Sequence, residues 1–188
     1  FIGYWQLSND VLFEKIIDFF ETNRHLHSQG VRDKGVNLSE KKTTDLTIDP
    51  IDLREKNYLI FNDYFDELFN CYNDYKEQWP FLDVNIQTLD IPSFNIQRYL
   101  PGDHFSKIHT ERSSTSTSHR VFAWMTYLND LDKNSGGSTK FEHFDISFKP
   151  KKGKTLIWPA EWTHAHSGDI IKSGVKYIIT GWMCFPFN

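Results

Sequence analysis

Cysteine is scarce in this chain of 188 residues, with only Cys71 and Cys184, far apart in sequence. One disulfide could join them, but two reduced thiols in a cytoplasmic protein fit that count better. Long hydrophobic runs are missing, and nothing approaches the roughly 18 apolar residues that span a bilayer. No secretory pattern precedes the first helix, although the chain starts at Phe1 rather than Met. Positive charge is not in excess either: 21 Lys and Arg against 25 Asp and Glu give −4. That balance provides no general attraction to nucleic acid or an anionic membrane. The one basic run, "KPKKGK" at 149–154, contains Pro and Gly and reads as a solvated turn. Internal repeats are absent.

What is present is a globular composition, 39% hydrophobic and 16% aromatic, in a length suited to one domain. The expected organisation is a single domain over 1–188, with a helical support region over 1–90 and a strand-rich core over 91–188. Ser8 is expected to cap a first helix whose apolar residues include Val11, Leu12, Ile16, Phe19 and Phe20. The polar stretch from Gly30 to Asp49 reads as a long connection with an edge strand in "TTDLTI". Asp49 and Pro50 then open a second helix, with a stripe at Tyr58, Phe61, Phe65, Leu68, Tyr72, Tyr75 and Trp79, ended by Pro80. From Phe94 the apolar period becomes two. Eight short runs follow: 94–100, 104–110, 120–129, 138–142, 144–148, 154–159, 163–169 and 175–185. The expected fold is α+β, a double-stranded β-helix (jelly roll) of about eight strands with the N-terminal helices packed on one sheet.

Chemistry concentrates in the strand-rich half. His109 and Glu111 are two apart on one strand and so project the same way. "WTHAHSGDIIKSGVKY" adds His164, His166 and Lys176. Two imidazoles and one carboxylate that leave coordination positions open form the facial triad of non-haem Fe(II) oxygenases, while a similar ligand set also serves zinc. Lys176 shares a strand face with Ile178, Thr180 and Trp182. An ammonium among such neighbours needs an anion. A bound dicarboxylate, chelating the metal at one end, would supply one and would account for the Lys and the triad together.

Phe94 to Trp182 resembles the 2-oxoglutarate- and Fe(II)-dependent dioxygenases, in particular the prolyl 4-hydroxylase branch. The resemblance is carried in order by Tyr99 in "QRYLPGDHFSKIHTE", by "RVFAWMTYLND", by "GGSTKF" and by "HSGDIIKSGVKY". It implies metal ligation by His109, Glu111 and His166. His166 lies ten residues before Lys176, as the distal His does in this branch; His164 is the rival, since strand periodicity gives both one facing. The resemblance further implies that Lys176 clamps 2-oxoglutarate with help from the Tyr127 hydroxyl. Tyr99 would lie near the metal end of the cosubstrate, and Thr139 and Trp182 would line the pocket. Two departures stand out. Glu111 replaces the usual Asp of the triplet, keeping charge and donor atoms on a longer arm. Ile170 occupies a position usually held by Pro.

The implied activity is hydroxylation of a prolyl residue in a peptide or protein, with 2-oxoglutarate decarboxylated to succinate and CO2. It would use Fe(II) and O2, with ascorbate as an optional reductant, and no membrane or nucleic-acid partner. The "RSSTSTS" loop at 112–118 is expected to be mobile and to close over substrate, with Arg112 meeting it; the 30–49 segment is a second candidate lid. Competing readings are the same core acting on another side chain or a free amino acid, a nucleic-acid demethylase, and a cupin-like metal binder without turnover. The demethylase reading is disfavoured by a Lys clamp and a net negative charge. His25, His27, His104, His119 and His143 are read as surface or packing residues.

Overall fold

Apolar residues at helical and then alternating spacing sort this chain into two layers of sheet with a cover of helices. The computed structural model describes residues 1–30, 35, 37–86 and 88–186. In chain order the main elements are β1 (Gly3–Gln6), α1 (Asp10–Thr22), β2 (Ser28–Gln29), β3 (Thr44–Ile48), α2 (Ile60–Gln78) and α3 (Phe81–Asn85). They continue with β4 (Phe94–Tyr99), β5 (Phe105–His109), β6 (Arg120–Tyr127), β7 (Thr139–Phe141), β8 (Ile146–Phe148), β9 (Lys154–Pro159), β10 (His166–Gly168) and β11 (Lys176–Cys184). A seven-stranded sheet runs β1-β9-β6-β11-β4-β3-β2, and a four-stranded sheet runs β5-β10-β7-β8. Every strand pair is antiparallel. This is the jelly roll expected from the alternation, with strands added from the front of the chain. The expected edge strand, β3, is internal: it pairs with β4 on one side and β2 on the other.

The large sheet separates two apolar clusters. On its outer face Leu12, Phe13, Ile16, Phe20, Phe61, Tyr64 and Leu68 from the helices meet Leu46, Ile48, Phe94, Ile96, Trp124, Ile179 and Met183 from the strands. Between the sheets lie Tyr99, Met125, Tyr127, Phe141, Leu156, Trp158, Ile171 and Ile178. Ile178 and Ile179 therefore sit on opposite faces of β11, as period two requires.

Several local expectations shift. Asn9, not Ser8, caps α1, its side chain accepting from the Leu12 N–H at 3.4 Å. Val11 turns outward, and Phe13 takes its place in the core. Asp49 and Pro50 open a short 3-10 turn (Pro50–Arg54), followed by a second (Lys56–Tyr58), so α2 begins only at Ile60. The break comes at Glu55, whose extended backbone (φ −79, ψ 141) cannot continue a helix. Tyr58 lies before α2 but still meets Phe19 edge-on, 5.0 Å between ring centroids. Trp79 caps the end of α2 and stacks on Phe1 at 4.5 Å. Tyr64, absent from the predicted stripe, is fully buried and bonds Thr126 Oγ1 at 2.8 Å. The candidate lid over 30–49 lies partly outside the described residues. Cys71 and Cys184 are buried and unpaired, and no described helix is long and apolar enough to cross a membrane.

Candidate active site

The small sheet builds the donor cluster. β5 and β10 pair so that His109 lies directly opposite His166, their ring centroids 4.3 Å apart. Glu111 follows two residues after His109 and turns its carboxylate between them. Glu111 Oε1 is 3.7 Å from His109 Nε2 and 3.2 Å from His166 Nε2. All three donor atoms lie within 4.8 Å of one another. Backbone carbonyls set the tautomers: His109 Nδ1 pairs with Lys107 O at 2.8 Å, and His166 Nδ1 with His164 O at 2.9 Å. Each Nδ1 then carries its proton, and each Nε2 lone pair faces Glu111. The rings are held flat on Phe105 (3.8 Å, 9°) and edge-on to Trp158 (5.1 Å, 79°). Trp182 Nε1 donates to Glu111 Oε2 at 2.8 Å.

The electrostatics suit a divalent cation. Burial pushes the His109 imidazole down, toward the neutral form that can ligate. Burial alone would raise Glu111, but the flanking imidazoles outweigh it and hold the carboxyl well below its usual range. Two neutral nitrogen donors and one carboxylate, all reached from one side, match the facial triad of Fe(II) oxygenases. His164 is not part of this set. It sits in a 3-10 turn (Trp162–His164) rather than on the strand, so the shared facing expected from periodicity does not arise. Its Nδ1 meets Thr163 Oγ1 at 2.9 Å, and burial pushes its pKa down to about 4.

The large sheet supplies the opposite wall of a cavity of about 350 Å³. Lys176, Ile178, Thr180 and Trp182 all line it, as does Tyr99, register partner of Lys176. The Lys176 ammonium is buried over the Tyr99 ring, 4.0 Å from its centroid, and donates to Gly137 O at 3.2 Å. No carboxylate pairs with it among the described residues, and burial lowers its pKa to about 7. Gly136 and Gly137 both have positive φ (76 and 75). A Cβ on Gly136 would stand 2.1 Å from the Ile170 carbonyl oxygen, so this turn under Lys176 requires glycine.

Other predicted residues fall into place differently. Thr139 lines the cavity, but Tyr127 does not: its hydroxyl is turned away, 2.8 Å from Thr139 Oγ1 and donating to Phe148 O at 3.0 Å. Arg112 also stays off the cavity wall and pairs with Glu161. Its loop is bonded internally: a 3-10 turn (Thr115–Thr117) is tied by Thr117 Oγ1, which accepts from the Ser113 and Ser114 N–H groups. The expected mobile lid is thus a self-bonded turn. Sequence reasoning missed Arg120, which lies over the Trp182 ring at 3.7 Å and donates to Glu111 O at 2.9 Å. It also missed the far cavity wall of Lys41, Asp45, Asn95 and Gln97. The alternation Asn95, Gln97, Tyr99 within β4 was the available signal, a polar inner face on an internal strand.

Comparison with known proteins agrees with this geometry. Residues 94–184 match the 2OG-Fe(II) oxygenase superfamily. A PKHD-type hydroxylase of Prochlorococcus marinus (strain MIT 9215) is 27% identical over 103 residues, 50% of this chain and 46% of that protein. The chain thus spans about half the length of the curated relatives it matches. The viral collagen prolyl hydroxylase of Paramecium bursaria Chlorella virus-1, solved as a 2OG complex, superposes with a TM-score of 0.72 at 17% identity, over 99% of this chain and 96% of that one. A Trichoplax adhaerens prolyl hydroxylase, solved with a hypoxia inducible factor peptide fragment, gives 0.72 at 13% identity, over 97% and 83%. The matched segment, a little under half of the chain, holds the whole donor cluster and Lys176, and in this segment the chain is similar to the 2OG-Fe(II) oxygenase superfamily.

Proposed function

We propose that the protein is a 2-oxoglutarate- and Fe(II)-dependent dioxygenase that hydroxylates a prolyl residue in a peptide or protein, releasing succinate and CO2 from the cosubstrate. One observation carries the reading: a buried ammonium without a carboxylate partner shares a cavity with a two-His, one-Glu cluster. Lys41 and Arg120 also line that cavity, but Asp45 neutralises the first at 2.8 Å and the Glu111 carboxylate lies 3.8 Å from the second. Lys176 is therefore the cation that an incoming dianion satisfies.

His109, Glu111 and His166 would hold the iron, which with O2, and ascorbate as reductant, supplies the oxidising chemistry. The Lys176 ammonium would take the far carboxylate of 2-oxoglutarate, fixing which end meets the iron. Thr139, on the small-sheet wall of the same cavity, would offer a hydroxyl to the same group. Trp182 holds one Glu111 oxygen and so orients the other toward the imidazoles. Trp158, Met125 and Ile178 form an apolar wall that limits water. A peptide substrate draws support from the fold shared with prolyl hydroxylases, one of them solved with a bound peptide. The reading treats 1–188 as one catalytic unit, and the two buried thiols favour a reducing, cytoplasmic setting.

The test is incubation with Fe(II), 2-oxoglutarate, ascorbate and a library of proline-containing peptides. Succinate is read by NMR and peptide oxidation by the mass gain of one oxygen atom. Succinate formation that disappears in His109→Ala supports the oxygenase reading. Equal succinate from protein and variant would end it, and oxygen gained on a residue other than proline would replace the prolyl substrate.

A further inference from the structure

Beyond the donor cluster and Lys176, a buried polar network joins Lys41, Thr43, Asp45, Gln97 and Tyr99. The Asp45 carboxylate accepts from Lys41 Nζ at 2.8 Å, Thr43 Oγ1 at 2.6 Å and Gln97 Nε2 at 3.1 Å. A carboxylate can only accept, so the Gln97 amide must turn its NH2 toward Asp45. Its carbonyl oxygen then points the other way and accepts the Tyr99 hydroxyl at 2.8 Å. Strand register makes the chain continuous: Asp45 lies opposite Gln97, and Tyr99 lies opposite Lys176. The Tyr99 ring is the surface on which the Lys176 ammonium rests.

We propose that Asp45 and Gln97 are positioning residues for the cosubstrate pocket, fixing Tyr99 beneath Lys176 so that the ammonium is aimed at the bound dicarboxylate. The inference rests on the reading of Lys176 given above. A buried carboxylate is costly unless its lone pairs are filled. Here that cost selects one amide orientation, and the amide in turn selects one hydroxyl direction. Without the Gln97 oxygen, the buried Tyr99 hydroxyl must find another acceptor, and the incoming carboxylate is the available one. Meeting it would tilt the ring and shift the ammonium.

The test measures 2-oxoglutarate binding by calorimetry to protein loaded with Mn(II), without turnover, alongside Mn(II) affinity and thermal stability. Gln97→Met removes the acceptor for Tyr99. Thr43→Val removes a different hydrogen bond to the same carboxylate and serves as the structural control. The expected result is 2-oxoglutarate affinity roughly tenfold weaker in Gln97→Met, with Mn(II) affinity unchanged and Thr43→Val binding as the unaltered protein does. Unchanged 2-oxoglutarate affinity in Gln97→Met overturns the proposal, and so does equal weakening in Thr43→Val. If Gln97→Met does not fold, Asp45→Asn frees the amide to turn over and is expected to give the same weakening; normal affinity there overturns the proposal. Absence of 2-oxoglutarate binding by the unaltered protein removes the Lys176 reading itself, an outcome distinct from the others.

Discussion

At the scale of single residues, Lys176 makes the sharpest demand on solution behaviour. Its ammonium titrates near 10.5 when exposed and near 7 when buried here. Between those values the unfolded chain takes up a proton that the folded chain declines. Burial therefore costs stability as pH falls through this window, and the cost is complete below about pH 7. Lys176→Met is expected to stabilise the ligand-free protein at pH 7 by on the order of 1–4 kcal/mol, read by chemical denaturation, while abolishing 2-oxoglutarate binding. In the intact protein, dicarboxylate binding should draw a proton onto Lys176 above pH 7. Calorimetry in buffers of different ionisation enthalpy should then record uptake approaching one proton at about pH 8 and almost none at about pH 6. Affinity should fall as pH climbs beyond 7; a flat profile would contradict the assignment. At the same scale, His164→Ala should leave metal affinity within about twofold, whereas His166→Ala should lower it by at least about 100-fold, as followed by Mn(II) titration.

At the scale of elements, α1 is pinned to the large sheet by one exchange of charge. Glu21 Oε1 accepts from Arg98 Nη1 on β4 at 2.8 Å and from the Tyr177 hydroxyl on β11 at 2.9 Å. Glu21→Ala would leave a largely buried guanidinium unpaired, and a loss of about 1–3 kcal/mol is expected in urea denaturation. Elements also show what the sequence made legible. β4, β5, β6, β9 and β11 fall within one or two residues of the predicted runs because period-two alternation over half-buried strands leaves a strong mark. α2 was placed too early because Asp49 and Pro50 carry the chemistry of a helix start, and they do start a turn. What continues a helix is the next hydrogen bond, and the extended residue Glu55 prevents it. The internal bonding of the 112–118 loop was not legible because composition does not reveal which small hydroxyls find backbone partners. Here Thr117 is buried and bonded.

At the scale of the whole molecule, the donor triad was readable because His109 and Glu111 lie two residues apart and His166 stands ten residues before Lys176, a known pattern. The far wall was not. Lys41 and Asp45 come from the polar connection, more than fifty residues before Gln97 in the case of Asp45 (52, separation), and only strand pairing unites them. Tyr127 shows the same limit. The resemblance implied that its hydroxyl assists Lys176, but that hydroxyl is bonded to the opposite sheet. Tyr127→Phe removes that link and should lower stability by about 1 kcal/mol, measured by denaturation. It should weaken 2-oxoglutarate binding more than Mn(II) binding in the same calorimetric series.

That contrast follows from which sheet bears which group. The metal donors come from β5, its following residues and β10, whereas Lys176 and Trp182 come from β11. On the proposed reading, the ion donors and the ammonium thus come from separate layers, and Trp182, which bonds Glu111 from the large sheet, ties one to the other. Productive chelation depends on the spacing between the layers, so a repacked interior could yield a protein that keeps its ion tightly, still attracts the diacid, and yet fails to bring the two into register.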